Sequence, residues 1–163
     1  NLALTVDPKR PGVMQERPRL PSERLVNAWM VKIIAVTSVL YGLLTLLILW
    51  RVYASTGDVV FVQSVAYITL GINTSFYVFS FKNLWSPIWK SHLFDNPWLN
   101  VSLLVSFIML VLPFTTPALR HIFSLKLVPL QYWFSAVGMS LAMVVAIELL
   151  KFGYRTERNT KIP

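Results

Sequence analysis

The side chains best able to do chemistry in this sequence are polar residues inside one apolar run, Val59–Phe81. Asn73 is the most prominent, because an amide oxygen can ligate a hard cation although it supplies no charge. Thr69, Tyr77 and Ser80 flank it at steps of four, four and three residues, which places all four on one helix face. We expect this face to point towards protein, since unpaired polar groups are costly in lipid. Two interpretations stay open: cation ligation by Asn73, or ordinary hydrogen bonds between helices.

Two further pairs of polar residues lie near the ends of apolar runs. Gln63 and Ser64 could face the path of a transported ion, but we interpret them as hydrogen-bonding residues that contact a neighbouring helix. Glu148 and Lys151 have the i,i+3 spacing that modestly favours a helical ion pair, and Lys151 complements the negative end of the helix dipole. We interpret this second pair as structural, with a proton relay through Glu148 as the alternative.

Several classes of catalytic and metal site are excluded by the sequence. It contains no cysteine, so it has no disulfide and no thiolate metal site. Its two histidines, His92 and His121, are predicted on opposite sides of a membrane and cannot share a metal. No glycine-rich phosphate loop and no Ser-His-Asp set is present. We therefore predict no catalytic and no cofactor-binding residue in this chain.

The elements that must position these residues are membrane-spanning helices. Of the 163 residues, 55% are hydrophobic and only 13% are charged, whereas a soluble domain carries about 25% charged residues. A helix crosses the hydrocarbon core with roughly 20 mostly apolar residues. Four uncharged runs have spanning length: Ile33–Trp50, Val59–Phe81, Asn96–Leu119 and Leu127–Ile147. The sequence therefore predicts an all-α integral membrane fold with four antiparallel transmembrane helices, at about residues 26–53, 59–81, 97–117 and 129–151.

Local signals mark the ends of these helices. The short turn with Gly57 joins the first two spans as a hairpin. Asn96 can cap the third span, because Pro97 suits the first helical position. Pro113 and Pro117 are predicted to kink or end that span, and a loop of about ten residues then leads to the fourth.

Positive charge predicts the orientation. Twelve of the fifteen Lys and Arg residues lie in 1–32, 82–97 and 151–163, which four spans place on one side. Cytoplasmic segments of membrane proteins retain such residues, so we predict that both termini are cytoplasmic. Nucleic-acid binding is the other interpretation of a net charge of +8, and we reject it in favour of the lipid bilayer as partner. Lys82, Lys90 and His92 would lie near anionic headgroups or a cytoplasmic domain.

The ends of the chain are polar. Residues 1–21 contain four prolines and are predicted to form a cytoplasmic loop segment, followed by a four-span domain over 22–163. The first residue is Asn rather than Met, and no signal peptide follows it. We therefore expect a fragment of a longer protein.

Three stretches, in the same order, resemble one family. They are LALTVDPKRPGVM near the start, WSPIWKSHLFDNPWLN between the second and third spans, and KLVPLQYWFSAVGMSLAMVVAIELLKFGYR at the end. Together they are similar to the C-terminal membrane domain of cation-transporting P-type ATPases of the calcium-pump-like branch. There, a closing Glu-Leu-x-Lys ends the tenth span, and an Asn-x-Trp-Leu motif precedes the ninth.

The resemblance implies that the four spans are the seventh to tenth of such a pump. Asn73 then stands thirteen residues before Ser86, where some calcium pumps carry a cation-coordinating Glu. The substitution implies a weakened or absent second cation site. ATP and magnesium would be required by the intact pump, and the phosphorylated Asp motif would lie upstream of residue 1.

The function expected from the resemblance is support of the ion-carrying helices of an ATP-driven cation pump, with calcium as the first choice of cation. The chain would contact the remaining domains of the same pump in a bacterial inner membrane. Two rivals are a self-contained four-helix binding or assembly module and a small oligomeric transporter. An upstream reading frame without Asp-Lys-Thr-Gly would favour the first rival, and cation flux through the isolated four-span chain would favour the second.

Overall fold

A computed structural model describes residues 28–82 and 96–160 of the chain, and every regular element within them is an α-helix. Four of these helices are long and apolar enough to cross a membrane: Trp29–Thr56, Val59–Ser80, Pro97–Thr115 and Leu130–Gly153. The predicted all-α fold with four spanning helices is therefore confirmed. The predicted loop segment 1–21 and the histidine and lysine at positions 92 and 90 lie outside the described residues.

The helices follow the apolar runs closely. Their bounds are Ala28–Thr56 (α1), Val59–Lys82 (α2), Pro97–Thr115 (α3), Pro117–Ile122 (α4) and Leu130–Thr160 (α5). α5 continues beyond residue 151, the predicted end of the fourth span. The short α4 stands where we expected only a loop, because Pro117 begins a new helical turn as well as ending the one before it.

The turn between α1 and α2 is closed by glycine and aspartate. Gly57 has a φ of +63°, and its N–H donates to the carbonyl of Tyr53 at 2.8 Å, which ends α1. Asp58 then caps α2 by accepting the N–H of Phe61 at 3.1 Å. The two spans therefore leave this turn as an antiparallel hairpin.

Side chains bond backbone groups of α3 that have no partner within the helix. Asn96 caps the helix by accepting the N–H of Leu99 at 3.1 Å, as predicted. Pro113 lies inside the helix and has no N–H for the carbonyl of Met109, one turn earlier. The hydroxyl of Tyr67 on α2 donates to that carbonyl at 3.2 Å. At the end of the helix, the Arg120 guanidinium donates to the carbonyl of Phe114 at 2.9 Å.

α2 is the central helix of the bundle, and it contacts α1, α3 and α5. Gly71 permits the approach of α3, because a Cβ at this position would overlap the side chain of Leu110. The buried cluster formed by these contacts is apolar and comprises Ile68, Ile72, Leu110, Phe114, Leu125 and Ala136. Large apolar side chains on the opposite faces of α1 and α3 are exposed, as expected for helices surrounded by lipid or by further helices; they include Leu43, Leu46, Leu104 and Phe107.

On the side of the α1–α2 turn, two loops are joined by polar contacts. Asp58 forms an ion pair with Lys126, and the backbone N–H of Lys126 donates to the buried hydroxyl of Ser64 at 2.8 Å. The hydrogen bond from Lys126 holds the pKa of the Asp58 carboxyl below its ordinary value, and the N–H of Phe61 acts in the same direction. The loop after α4 is thereby tied to the start of α2.

The Asp58–Lys126 ion pair predicts a pH-dependent stability. The pKa of Asp58 is lower in the folded state than in the unfolded state. The ion pair therefore stabilises the protein at pH values above the unfolded-state pKa, and this stabilisation is lost as the pH falls through the folded-state pKa. Asp58→Asn keeps a capping side chain but removes the charge. We expect a lower melting temperature for this variant at neutral pH, and a difference from the wild type that disappears in acid. Thermal unfolding of detergent-solubilised protein across a pH series measures this; a difference independent of pH would contradict it.

Candidate functional site

The polar face of α2 points into the bundle. Thr69 and Asn73 are each 2% exposed and Ser80 is fully buried, whereas Tyr77 is half-buried. The hydroxyl of Thr69 donates to the carbonyl of Val65 at 2.8 Å, so its proton is used within the helix. Oδ1 of Asn73 and Oγ of Ser80 both lack a hydrogen-bond partner among the described residues, and an amide has more donor and acceptor sites than a hydroxyl, so Asn73 is the side chain of this face with the most capacity to bind something else.

Asn73 faces polar residues of α1 that the sequence reasoning did not select. The hydroxyl of Tyr41 lies beside the side chains of Thr45 and Asn73. The rings of Tyr41 and Tyr77 pack edge to face, with centroids 5.6 Å apart. Thr45 is 8% exposed, so the group is enclosed by the chain's own helices. We call Tyr41, Thr45 and Asn73 the α1–α2 polar cluster.

Three buried oxygens of the α1–α2 polar cluster lie near one another, but no hydrogen bond of ordinary geometry within the described residues joins or satisfies them: the hydroxyls of Tyr41 and Thr45 and Oδ1 of Asn73. Buried polar groups in proteins are nearly always hydrogen-bonded, and those that are not require an explanation. The cluster holds no charge. Its neutral oxygens can therefore form hydrogen bonds or act as uncharged ligands, but they cannot neutralise the charge of a cation.

Sequence signals for Tyr41 and Thr45 were present. Thr37, Tyr41 and Thr45 recur at steps of four along α1, the spacing of one helix face, just as the polar residues do on α2. The two stripes meet because α1 and α2 form a hairpin.

A second polar site joins the far end of α2 to α5. Nζ of Lys151 donates to the carbonyl of Ser80 at 2.6 Å and to Oε1 of Glu148 at 2.7 Å. Lys151 and Glu148 are only 4% and 7% exposed. The carbonyls of a helix's last turn have no partner within the helix, so Lys151 caps α2 from a different span. The pair is therefore a contact between helices as well as an i,i+3 pair within α5.

Gln63 and Ser64 contact a loop rather than another span. Ser64 is buried, donates to the carbonyl of Val60 at 2.8 Å and accepts the N–H of Lys126. Gln63 is exposed, and its amide lies 3.5 Å from the carbonyl of Phe123, the outer limit of a hydrogen bond. Both residues therefore help to fix the α4–α5 connection, and a role along an ion path stays a prediction.

No described part of the chain offers an anionic metal site. Within residues 28–82 and 96–160 there is no group of three or more His, Cys, Asp or Glu side chains that could hold a metal. A site for nucleotide-bound magnesium requires carboxylates and phosphate-binding groups. The described residues do not fit that group.

Comparison with known proteins decides the family. A family model described as the C-terminus of cation transporting ATPases matches residues 1–153. The chain belongs to this family. The resemblance carried by the three sequence stretches is thereby confirmed, and the four long helices are those of a cation-transporting ATPase C-terminal domain.

The chain is similar to bacterial proteins that carry related names. It is 28% identical over 166 residues to "Calcium-transporting ATPase 1" of Bacillus cereus, covering 92% of the chain and 19% of that protein. It is 25% identical over 152 residues to "Probable cation-transporting ATPase F" of Mycobacterium bovis and of Mycobacterium tuberculosis, covering 91% of the chain and 17% of each. The chain thus spans about a fifth of the length of these relatives.

Proposed function

We propose that this chain is the C-terminal transmembrane part of an ATP-driven cation pump, and that it braces the helices that carry the ion. The single observation that supports bracing most strongly is the position of α2. This helix is held by α1, α3 and α5 along its length, by Lys126 near its start and by Lys151 at its end. A helix fixed at so many points provides a rigid support for helices outside this chain.

Calcium is the cation that we propose. The name of the Bacillus cereus relative supports this choice. The buried face of α2 carries no charged side chain, which argues for few ions in each transport cycle. The other ligands would come from helices upstream of residue 1.

The proposed setting is a bacterial inner membrane with both ends of the chain in the cytoplasm. Twelve of the fifteen Lys and Arg residues support this orientation. ATP and magnesium would act in the cytoplasmic domains of the intact pump, where hydrolysis through a phospho-aspartate drives transport. The partners are lipid, the transported cation and those domains.

The proposed function is tested by transport with the full-length protein in inside-out membrane vesicles. We expect ATP-dependent uptake of calcium that is abolished by vanadate or by a calcium ionophore. Uptake of another divalent cation in place of calcium would change the proposed ion but would leave the assignment as an ATP-driven pump intact. Absence of ATP-dependent uptake of any cation would overturn the proposal in favour of a binding module.

We also propose that Asn73 lends one uncharged oxygen to the transported cation. The burial of its Oδ1 without a hydrogen-bond partner in the described part of the chain supports this role. Asn73→Ala is then expected to weaken the apparent affinity for calcium by about tenfold, the change that ~1.4 kcal/mol produces. The maximal transport rate should change much less.

The matched control for this measurement is Thr74→Ala. Thr74 is the next residue, is exposed, and its hydroxyl is already bonded to the carbonyl of Leu70 at 2.7 Å. Its replacement should leave the apparent affinity unchanged. Equal affinities in the two variants would remove Asn73 from the ligands while leaving the pump assignment intact.

A further inference from the structure

We propose that, when no transported cation is bound, the α1–α2 polar cluster binds one buried water molecule, held by the hydroxyls of Tyr41 and Thr45 and by Oδ1 of Asn73. This inference goes beyond the proposed function, because it concerns the four-span domain itself and holds whichever cation is transported. The water would join the first span to the second at the level of Asn73.

The behaviour of Thr45 is the first observation in favour. A threonine in a helix can donate its hydroxyl to the carbonyl one turn earlier. Thr37 does so to Ile33 at 2.7 Å, and Thr69 to Val65 at 2.8 Å. Thr45 is the one buried threonine of the described residues that does not. Its hydroxyl is left for a partner between the helices.

The depth of the cluster is the second observation. Tyr41 and Asn73 each stand sixteen residues from Gly57, on opposite arms of the hairpin. At 1.5 Å per residue they lie at the same level, roughly 24 Å from the turn. The hydrocarbon core is about 30 Å thick. The three oxygens are also buried among the described helices, so bulk water does not reach them, whereas a bound water can satisfy them.

Without ligands from outside the cluster, the number and type of these oxygens suit a water molecule rather than a cation. A buried water makes about 2 to 4 hydrogen bonds to otherwise unsatisfied groups, which matches the three oxygens of the cluster. Calcium takes about 6 to 8 oxygen ligands and usually includes carboxylates. The water can donate to Oδ1 of Asn73, while the two hydroxyls each donate to it or accept from it. Such a bridge would fix the orientation of the Asn73 amide.

X-ray radiolytic labelling of the full-length protein in nanodiscs tests this proposal. Radicals formed from a bound water oxidise the side chains beside it, even when bulk solvent cannot reach them. In ¹⁸O-enriched water we expect Tyr41 to be labelled despite its depth, and Thr45→Val to reduce that labelling several-fold. The matched control is Thr37→Val, which removes a buried hydroxyl already bonded within α1 and should leave the labelling unchanged.

A second measurement keeps the proposal testable if Thr45→Val does not fold. A density map of the full-length protein prepared without its transported cation, at a resolution that shows ordered waters, should contain a peak within hydrogen-bond distance of all three oxygens. No peak together with no labelling of Tyr41 would overturn the proposal. A peak with the short distances and higher coordination of a metal would also overturn it, as would a rise in melting temperature with Na⁺, K⁺ or Ca²⁺ that Thr45→Val removes.

Discussion

Replacing Lys151 with methionine is expected to lower the free energy of unfolding by about 3–5 kcal/mol, the loss typical of breaking a buried ion pair from one side. Methionine keeps much of the volume of the lysine stem but has no charge and no donor. Glu148 then loses its Lys151 partner at 7% exposure, and the carbonyl of Ser80 loses its cap. Denaturant titration of the full-length protein in mixed micelles, followed by circular dichroism, measures this loss.

Lys126→Met is the matched control, because it makes the same substitution in an exposed ion pair. The Lys126 side chain is 51% exposed, so water and salt screen its interaction with Asp58. Its loss should be much smaller than that of Lys151→Met. Combining Glu148→Gln with Lys151→Met should restore part of the stability, since the buried charge that has lost Lys151 is then removed as well. Equal losses in the two methionine variants would contradict the buried contact between α5 and α2.

The spanning helices could be predicted because the bilayer imposes a simple rule on the sequence. Charged residues are excluded from the hydrocarbon, so Lys32 and Arg51, or Asp58 and Lys82, bracket a run of spanning length. Capping residues add a second local signal. α3 begins at Pro97 with Asn96 as its N-cap, as the sequence predicts. Such features depend only on residues that are neighbours in the chain.

Contacts between spans could not be predicted in the same way. Hydropathy does not say which faces of two helices meet, so Lys151 was assigned to its own helix end and not to the carbonyl of Ser80 on α2. The same limit hid Tyr67, whose hydroxyl bonds the carbonyl that Pro113 leaves unpaired on α3. Pro117 was ambiguous for a different reason, because proline ends one helix and begins the next with equal ease.

In the candidate site, one stripe of polar residues could be predicted from the sequence, whereas its contact with a second stripe could not. The stripe of Asn73 and Thr69 on one helix face followed from spacing alone, and so did its burial, because lipid penalises exposed polar groups. The partner stripe of Tyr41 and Thr45 has equally regular spacing. It became recognisable only when the hairpin placed the two faces together. The role of Asn73 as a ligand stays a prediction.

Replacing Ile147 with alanine is expected to destabilise the bundle by about 2 kcal/mol or more, the lower part of the range for truncating a buried isoleucine. Ile147 is completely buried on α5. Lipid tails are as apolar as the bundle interior, so little of the loss comes from transfer out of water. The loss comes instead from the cavity, whose lining gives up its van der Waals contacts.

Leu149→Ala provides the control within the same helix, because Leu149 lies two residues further along and is 66% exposed. Its truncation leaves no cavity and should change the free energy of unfolding by no more than about 0.5 kcal/mol. The same denaturant titration in mixed micelles compares the two variants. A loss for Leu149→Ala as large as that for Ile147→Ala would contradict the difference in burial between the two residues, and would mean that the outer face of α5 is packed in the intact protein.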